Sequence, residues 1–180
     1  MATSLELIIM PLLYALGAIL LVITVYVLLI GAPFIPTPQP VVEHMVKVAK
    51  LKKGMTVMDP GCGDARMLVT ACKMHPEVRG IGYELFFIAY ILAKIRTWKF
   101  RNRIKIWFRN SDHADLSEVD VMFCYMLYKP LGRNADKYKR ELKKGAKIIS
   151  YAFEIPGWQW DEKIPPVPEK NFAAIFIYKI

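Results

Sequence analysis

Met55-Thr56-Val57-Met58-Asp59-Pro60-Gly61-Cys62-Gly63-Asp64-Ala65-Arg66 passes from a short apolar run, through a turn holding two glycines, into the start of a helical pattern. Met55 to Met58 reads as a strand running into Asp59, and the helix that follows covers about residues 65–74. Gly61 permits a tight turn and Gly63 lets the backbone come close to a ligand. In an open α/β sheet, such a turn at the end of the first strand is where nucleotides bind. Glu84 closes the next strand 21 residues after Gly63. That is near the roughly 20-residue offset at which an acidic side chain takes the two hydroxyls of a ribose.

Strands and helices alternate outward from this unit. Residues 79–83 form a second strand, 86–99 a long apolar helix, 104–108 a third strand and 119–125 a fourth. A polar helix over 133–142 and a fifth strand over 146–153 follow. A loop rich in Pro and Trp leads to a last strand, 172–178, which returns antiparallel at the sheet edge. Upstream, Val41, Val42, Met45, Val46, Val48, Ala49 and Leu51 recur at helical spacing with Glu43, Lys47 and Lys50 between them, and Gly54 ends that helix. Before it, residues 32–40 carry four prolines and read as a stiff, extended connector. The pattern specifies an α/β fold with a mostly parallel, Rossmann-like sheet and helices on both faces.

From Leu7 to Ile30 there is no formal charge over 24 residues, enough to cross a hydrocarbon core that needs about 20 helical residues. No Lys or Arg precedes the run, which is longer than a signal-peptide core, so an uncleaved single-pass anchor is favoured over a cleaved signal. All 25 Lys and Arg residues lie after it, placing the rest of the chain on the cytoplasmic or organelle-interior side of a membrane. The expected organisation is a tail and transmembrane anchor over 1–32, a connector and amphipathic helix over 33–54, and a catalytic domain over 55–180. A chain of 180 residues has no room for a second catalytic domain. Glu6 is the only one of the 16 acidic residues in the first 40, so the remainder carries a net charge of +10. That charge suits an anionic membrane surface better than nucleic acid, since no aromatic-interleaved platform for single strands is evident. Cys62, Cys72 and Cys124 are odd in number and match no metal-ligand spacing, so neither a structural disulfide nor a metal site is expected.

Two ligand classes use a glycine turn followed by an acid. A dinucleotide site wants a third glycine for the pyrophosphate, and Arg66 stands at that position. Asp59 and Asp64 bring carboxylates that repel pyrophosphate and suit the ammonium and sulfonium charges of S-adenosyl-L-methionine. The methyl donor is therefore the expected cofactor.

At this point the chain resembles a known family. Phe34-Ile35-Pro36-Thr37-Pro38, the helix after it, and Met58-Asp59-Pro60-Gly61-Cys62-Gly63-Asp64-Ala65-Arg66 look like the small protein-lysine methyltransferases found in archaea and, with a membrane anchor, in mitochondria, where they act on the ADP/ATP carrier and the ATP synthase c-subunit. The resemblance continues through Gly82-Tyr83-Glu84 to Ser150-Tyr151-Ala152-Phe153-Glu154-Ile155-Pro156-Gly157-Trp158, and so covers nearly everything after residue 33. Pro60 replaces a usual aliphatic residue and Ala65 a usual glycine. The resemblance implies a class I methyltransferase fold in which Asp59, Gly61, Gly63 and Asp64 line the amino-acid end of the cofactor. It implies further that Glu84 holds the ribose, that Thr37 and Pro38 fold over the same site, and that either Asn110 or Asp112 neighbours the adenine.

Methyl transfer to an amine is an in-line displacement, for which positioning and electrostatics suffice without a dedicated base. Candidate catalytic residues lining the substrate channel are Tyr125, Tyr151 and Trp158, with Met126 and Glu154 beside them. Their aromatic faces hold an ammonium by cation–π attraction. The helix from Leu85 to Ala93 is apolar nearly all round and then turns basic. Its outer face meets either lipid, a partner or the Trp-rich C-terminal loop, and the loop is slightly favoured. The expected activity is methylation of lysine side chains of proteins, plausibly membrane proteins. The alternatives are methylation of a lipid or small amine, and a cofactor-binding protein that has lost activity.

Overall fold

The computed structural model describes residues 4–30 and 35–180, so the opening of the connector, residues 31–34, lies outside the described residues. Two compact units are present, Met1–Pro33 and Phe34–Ile180.

The first unit is one helix, α1 (Ser4–Ile30), with Glu6 in its first turn and Pro11 inside it. Among the described residues no helix is long and apolar enough to cross a membrane. The structure therefore supplies a helix where the sequence led us to expect a span, and no more than that.

The second unit is the α/β fold. A seven-stranded sheet has the order β3-β2-β1-β4-β5-β7-β6. Its strands are β1 (Thr56–Asp59), β2 (Arg79–Glu84), β3 (Ile104–Phe108), β4 (Val121–Cys124), β5 (Lys147–Tyr151), β6 (Glu162–Ile164) and β7 (Ile175–Lys179). The first five pair in parallel, while β7 runs antiparallel between β5 and β6. The strand order reverses between β1 and β4, and the carboxyl ends of strands at such a switch point are where open α/β sheets bind their ligands.

Successive side chains of a strand point to opposite faces, and the core divides accordingly. Val57, Phe123, Ile149, Ile175 and Ile177 join α2 (Gln39–Ala49) and α3 (Arg66–Met74) in one buried cluster. Met58, Met122, Ile148, Phe176 and Tyr178 face the other cluster, with Leu131 of α5 (Tyr128–Arg133) and Tyr138 of α6 (Ala135–Glu141). The remaining helix, α4 (Phe87–Thr97), buries Ala89, Ala93 and Thr97.

Several boundaries differ from the sequence reading. Pro40 is the second residue of α2, not part of an extended connector: in a first helical turn its missing N–H removes no bond. The polar helix divides at Asn134, whose backbone leaves the helical region with φ −99° and ψ 1°. β6 lies within the Pro- and Trp-rich loop, so β7 is interior to the sheet and β6 is the edge. The loop does not cover the outer face of α4, where Ile88 and Ile95 are 60% and 68% exposed.

Candidate active site

Each acidic residue of the glycine turn has its own surroundings. Asp59 ends β1 and is buried, and its Oδ1 accepts a bond from the Gly61 N–H at 3.2 Å. Burial pushes its pKa up to about 7, against the lowering effect of that N–H and with the further push of Glu84 and Asp64 nearby. Among the described residues Asp59 has no cationic partner. Asp64 is the reverse case. Burial alone would raise its pKa, but the Arg66 and Arg96 guanidinium groups, both 2.8 Å from Oδ2, hold it below the usual carboxylate range. The Asp64 carboxylate is thus committed to two arginines, which leaves Asp59 as the turn's unpartnered buried acid.

Glu84 ends β2 and fastens the turn. Its Oε2 accepts from the Gly63 N–H at 2.7 Å, while Oε1 accepts from the N–H groups of Leu85 and Phe86 at 2.8 and 2.7 Å. A carboxylate offers about four acceptor positions, so three such bonds fix its orientation and leave room for a hydroxyl donor. The Cys62 N–H donates to the Tyr83 carbonyl at 2.9 Å, tying the turn to β2 a second time. Gly82 must lack a side chain here: a Cβ would stand 2.7–2.9 Å from Ile106 Cδ1, Cys62 Sγ and Leu68 Cδ1. Ala65 keeps the conformation that a glycine would favour, with φ 61°, and its methyl is fully buried. Enclosing that methyl offsets roughly the 1 kcal/mol that a left-handed alanine costs.

The connector reaches the same place. The Thr37 carbonyl accepts from Arg66 Nη1 at 2.9 Å, so a chain of bonds runs from Thr37 through Arg66 to Asp64. Pro38, beside it, is exposed at the start of α2. Met126, just beyond β4, lies against the turn, because a Cβ on Gly61 would be 3.9 Å from its Cγ.

Beyond β3, Asn110 and Asp112 bond to one another. Asn110 Oδ1 accepts from the Asp112 N–H at 2.9 Å, and Asn110 Nδ2 donates to Asp112 Oδ2 at 3.0 Å. Asp112 also pairs with Arg133 at 2.9 Å and accepts from Asn134 Nδ2 at 2.7 Å. The two residues thus belong to one network, which Arg133 and Asn134 extend.

At the ends of β4 and β5 the aromatics divide. Tyr125 meets Tyr151 edge-on at 5.1 Å and stacks on Phe153 at 6.2 Å, and Tyr128 meets Phe153 edge-on at 5.1 Å. Tyr151 is buried and its hydroxyl accepts from the Ala173 N–H at 3.1 Å, so it supports the cluster from beneath. Trp158 is not brought to this cluster. It packs edge-on against Tyr178 at 5.8 Å with Lys139 over its ring, on the sheet face that carries α6. Tyr128 and Phe153 are the cluster members that sequence reasoning missed. The available signal was that both stand within three residues of a strand end already singled out.

A parallel sheet with one antiparallel strand inserted beside β5, a glycine turn after β1 and an acid closing β2 define an S-adenosylmethionine-dependent methyltransferase of class I. The chain belongs to the ANTKMT methyltransferase domain family, whose model matches residues 59–162. A protein-lysine N-methyltransferase of Saccharolobus islandicus is 32% identical over 150 residues, which are 82% of this chain and 93% of that one. The adenine nucleotide translocase lysine N-methyltransferase of Mus musculus is 26% identical over 131 residues, covering 71% of this chain and 56% of its own length, so the chain spans little more than half of that relative. In fold, the chain is similar to an RNA methyltransferase from Salinibacter ruber in complex with S-adenosyl-L-homocysteine, with a TM-score of 0.74 at 23% identity over 81% of this chain and 94% of that one.

Proposed function

We propose that the chain transfers methyl groups from S-adenosylmethionine to lysine side chains of proteins, and that α1 holds it to a membrane with the second unit on the cytoplasmic or organelle-interior side. The observation that carries the lysine reading is the match to the Saccharolobus islandicus enzyme over nearly its whole length. The aromatic cluster at the strand ends gives it a chemical basis.

When bound, the cofactor supplies an electrophilic methyl group on a cationic sulfur. Asp59 gives the cofactor's ammonium a buried counter-charge, and the cation in turn draws the carboxyl into its ionised form. Glu84, held by its three N–H bonds, presents its remaining acceptor position to the ribose hydroxyls. The Asn110–Asp112 pair borders the adenine side, and the Thr37–Arg66–Asp64 chain keeps the connector closed over the turn. Tyr125, Phe153 and Tyr128 hold the incoming lysine by cation–π attraction and orient its nitrogen in line with the methyl. The nitrogen must be neutral to attack, so a proton leaves to water at the mouth of the cluster before transfer.

The anchor rests on the 24 uncharged residues from Leu7 to Ile30 and on the basic residues that all follow them. It would raise the effective concentration of lysines near a bilayer.

The test is to incubate the full chain in vesicles with methyl-labelled cofactor and membrane-protein fractions, then hydrolyse the products. Label recovered as methyl-lysine supports the reading. Label recovered in lipid, in RNA or nowhere overturns it.

A further inference from the structure

α4 turns its small residues inward and its large ones outward. Ala89, Ala93 and Thr97 face the sheet, whereas Ile88, Ile91, Leu92 and Ile95 are exposed. The patch extends past the helix end to Trp98, 67% exposed, and across to Phe108 on the edge strand β3, 49% exposed. Phe87 and Phe108 join the two elements edge-on at 5.7 Å. A monomer seldom leaves a contiguous apolar surface of this kind uncovered.

Its rim has one sign. From Leu85 to Arg109 the sequence has seven Lys or Arg residues and no Asp or Glu. Among the described residues only Arg96 of these seven is in an ion pair, with Asp64. Arg101 lies over the Trp98 ring at 5.1 Å, which brings a cation onto the apolar patch itself.

We propose that the outer face of α4 docks on an anionic lipid bilayer, with the aliphatic tips entering the acyl boundary, Trp98 at headgroup depth, and the lysines against the headgroups. The chemistry favours lipid over other occupants. A nucleic-acid platform presents stacked aromatics in a basic groove, whereas Ile88, Ile91, Leu92 and Ile95 along this face are branched aliphatics on which bases do not stack. Lysine is depleted where proteins meet proteins, yet Lys94 and Lys99 flank this patch. Lys105 on the edge strand also opposes pairing with a second copy. Phe87 and Phe108 stand at the carboxyl side of β2 and β3, the same end of the sheet as Asp59 and Glu84. Docking along the length of α4 would therefore hold the catalytic end beside the bilayer surface. This goes beyond lysine methylation and does not depend on α1 spanning the membrane.

The test reads tryptophan fluorescence of the full chain in vesicles with brominated acyl chains, made of neutral phosphatidylcholine alone or with about one third phosphatidylserine. Quenching is expected to be strong with phosphatidylserine, weak without it, reduced by salt, and lost in a Trp98→Phe variant that keeps Trp107, Trp158 and Trp160. Changing Lys94 and Lys99 to Gln should weaken the phosphatidylserine-dependent affinity, read as the lipid concentration for half-maximal quenching, by about 30-fold. Unchanged affinity for S-adenosylhomocysteine in these variants shows that they fold. Equal quenching in both vesicle types, or none, overturns the proposal. So does tight binding of a single-stranded RNA without quenching, or a dimer that shields Trp98. A chain that floats with both vesicle types but shows no Trp98 quenching keeps the anchor and rejects the docking face. A chain that floats only with phosphatidylserine does the opposite.

Discussion

A buried carboxylate with no cation beside it is costly, and Asp59 lowers the cost by keeping its proton up to about pH 7. Because the folded-state pKa lies above the ordinary value of 3.8, the cofactor-free protein binds this proton more tightly than the unfolded chain does. The resulting stabilisation is full below about pH 4 and is lost as the pH rises through 7, for a total of about 4 kcal/mol. Thermal denaturation of the cofactor-free chain should show that loss between about pH 4 and about pH 7, and Asp59→Asn should flatten it. Cofactor binding should correspondingly release about one proton at pH 6, measurable by calorimetry in buffers of different ionisation enthalpy. Glu84→Ala should weaken cofactor binding by about 30–100-fold, through both the lost ribose acceptor and the loosened turn; unchanged affinity would remove Glu84 from the ribose. Asp59 and Glu84 were legible in the sequence because strand ends and spacing alone place them. The partners of Asp64 were not, since Arg96 arrives from a helix 32 residues later. Trp158 misled for a similar reason: its place in sequence, after β5, does not say which face of the sheet the chain then crosses.

Elements whose period was strong were read correctly, and those that depend on their neighbours were not. The near-continuous apolar runs of β1, β4 and β5 match a sheet buried on both faces. β6 has three residues and no pattern of its own, and it exists because β7 offers it an edge. Helix α4 was ambiguous in sequence because both of its faces are apolar; side-chain size, not hydropathy, decides which face turns inward. Between α3 and α4, Gly82 brings β2 close to Cys62 and Leu68. Gly82→Ala should cost about 1–3 kcal/mol through overpacking, read as a lower midpoint of thermal unfolding, with cofactor affinity falling as the turn shifts.

At the scale of the molecule, the alternation of strands and helices was readable outward from the glycine turn in both directions, whereas the order of the strands in the sheet and the docking of loops onto faces required coordinates. All three cysteines are buried and free, and burial pushes the thiols of Cys62 and Cys124 well above the usual range. The native protein should therefore leave all three unmodified by a thiol reagent that labels them fully in denaturant, as counted by mass spectrometry. The position of β7 bears on how the fold closes. Residues 175–179 fill the gap between β5 and β6, so the sheet stays open on that side until they are in place. A chain truncated before Ile175 holds β1 to β5 with one flank of β5 unpaired and β6 without its neighbour. It should be cut readily by protease, whereas the full chain should resist. β7 is thus the latch of the sheet: two strands from separate parts of the chain are held through it, and the protected state depends on that single strand.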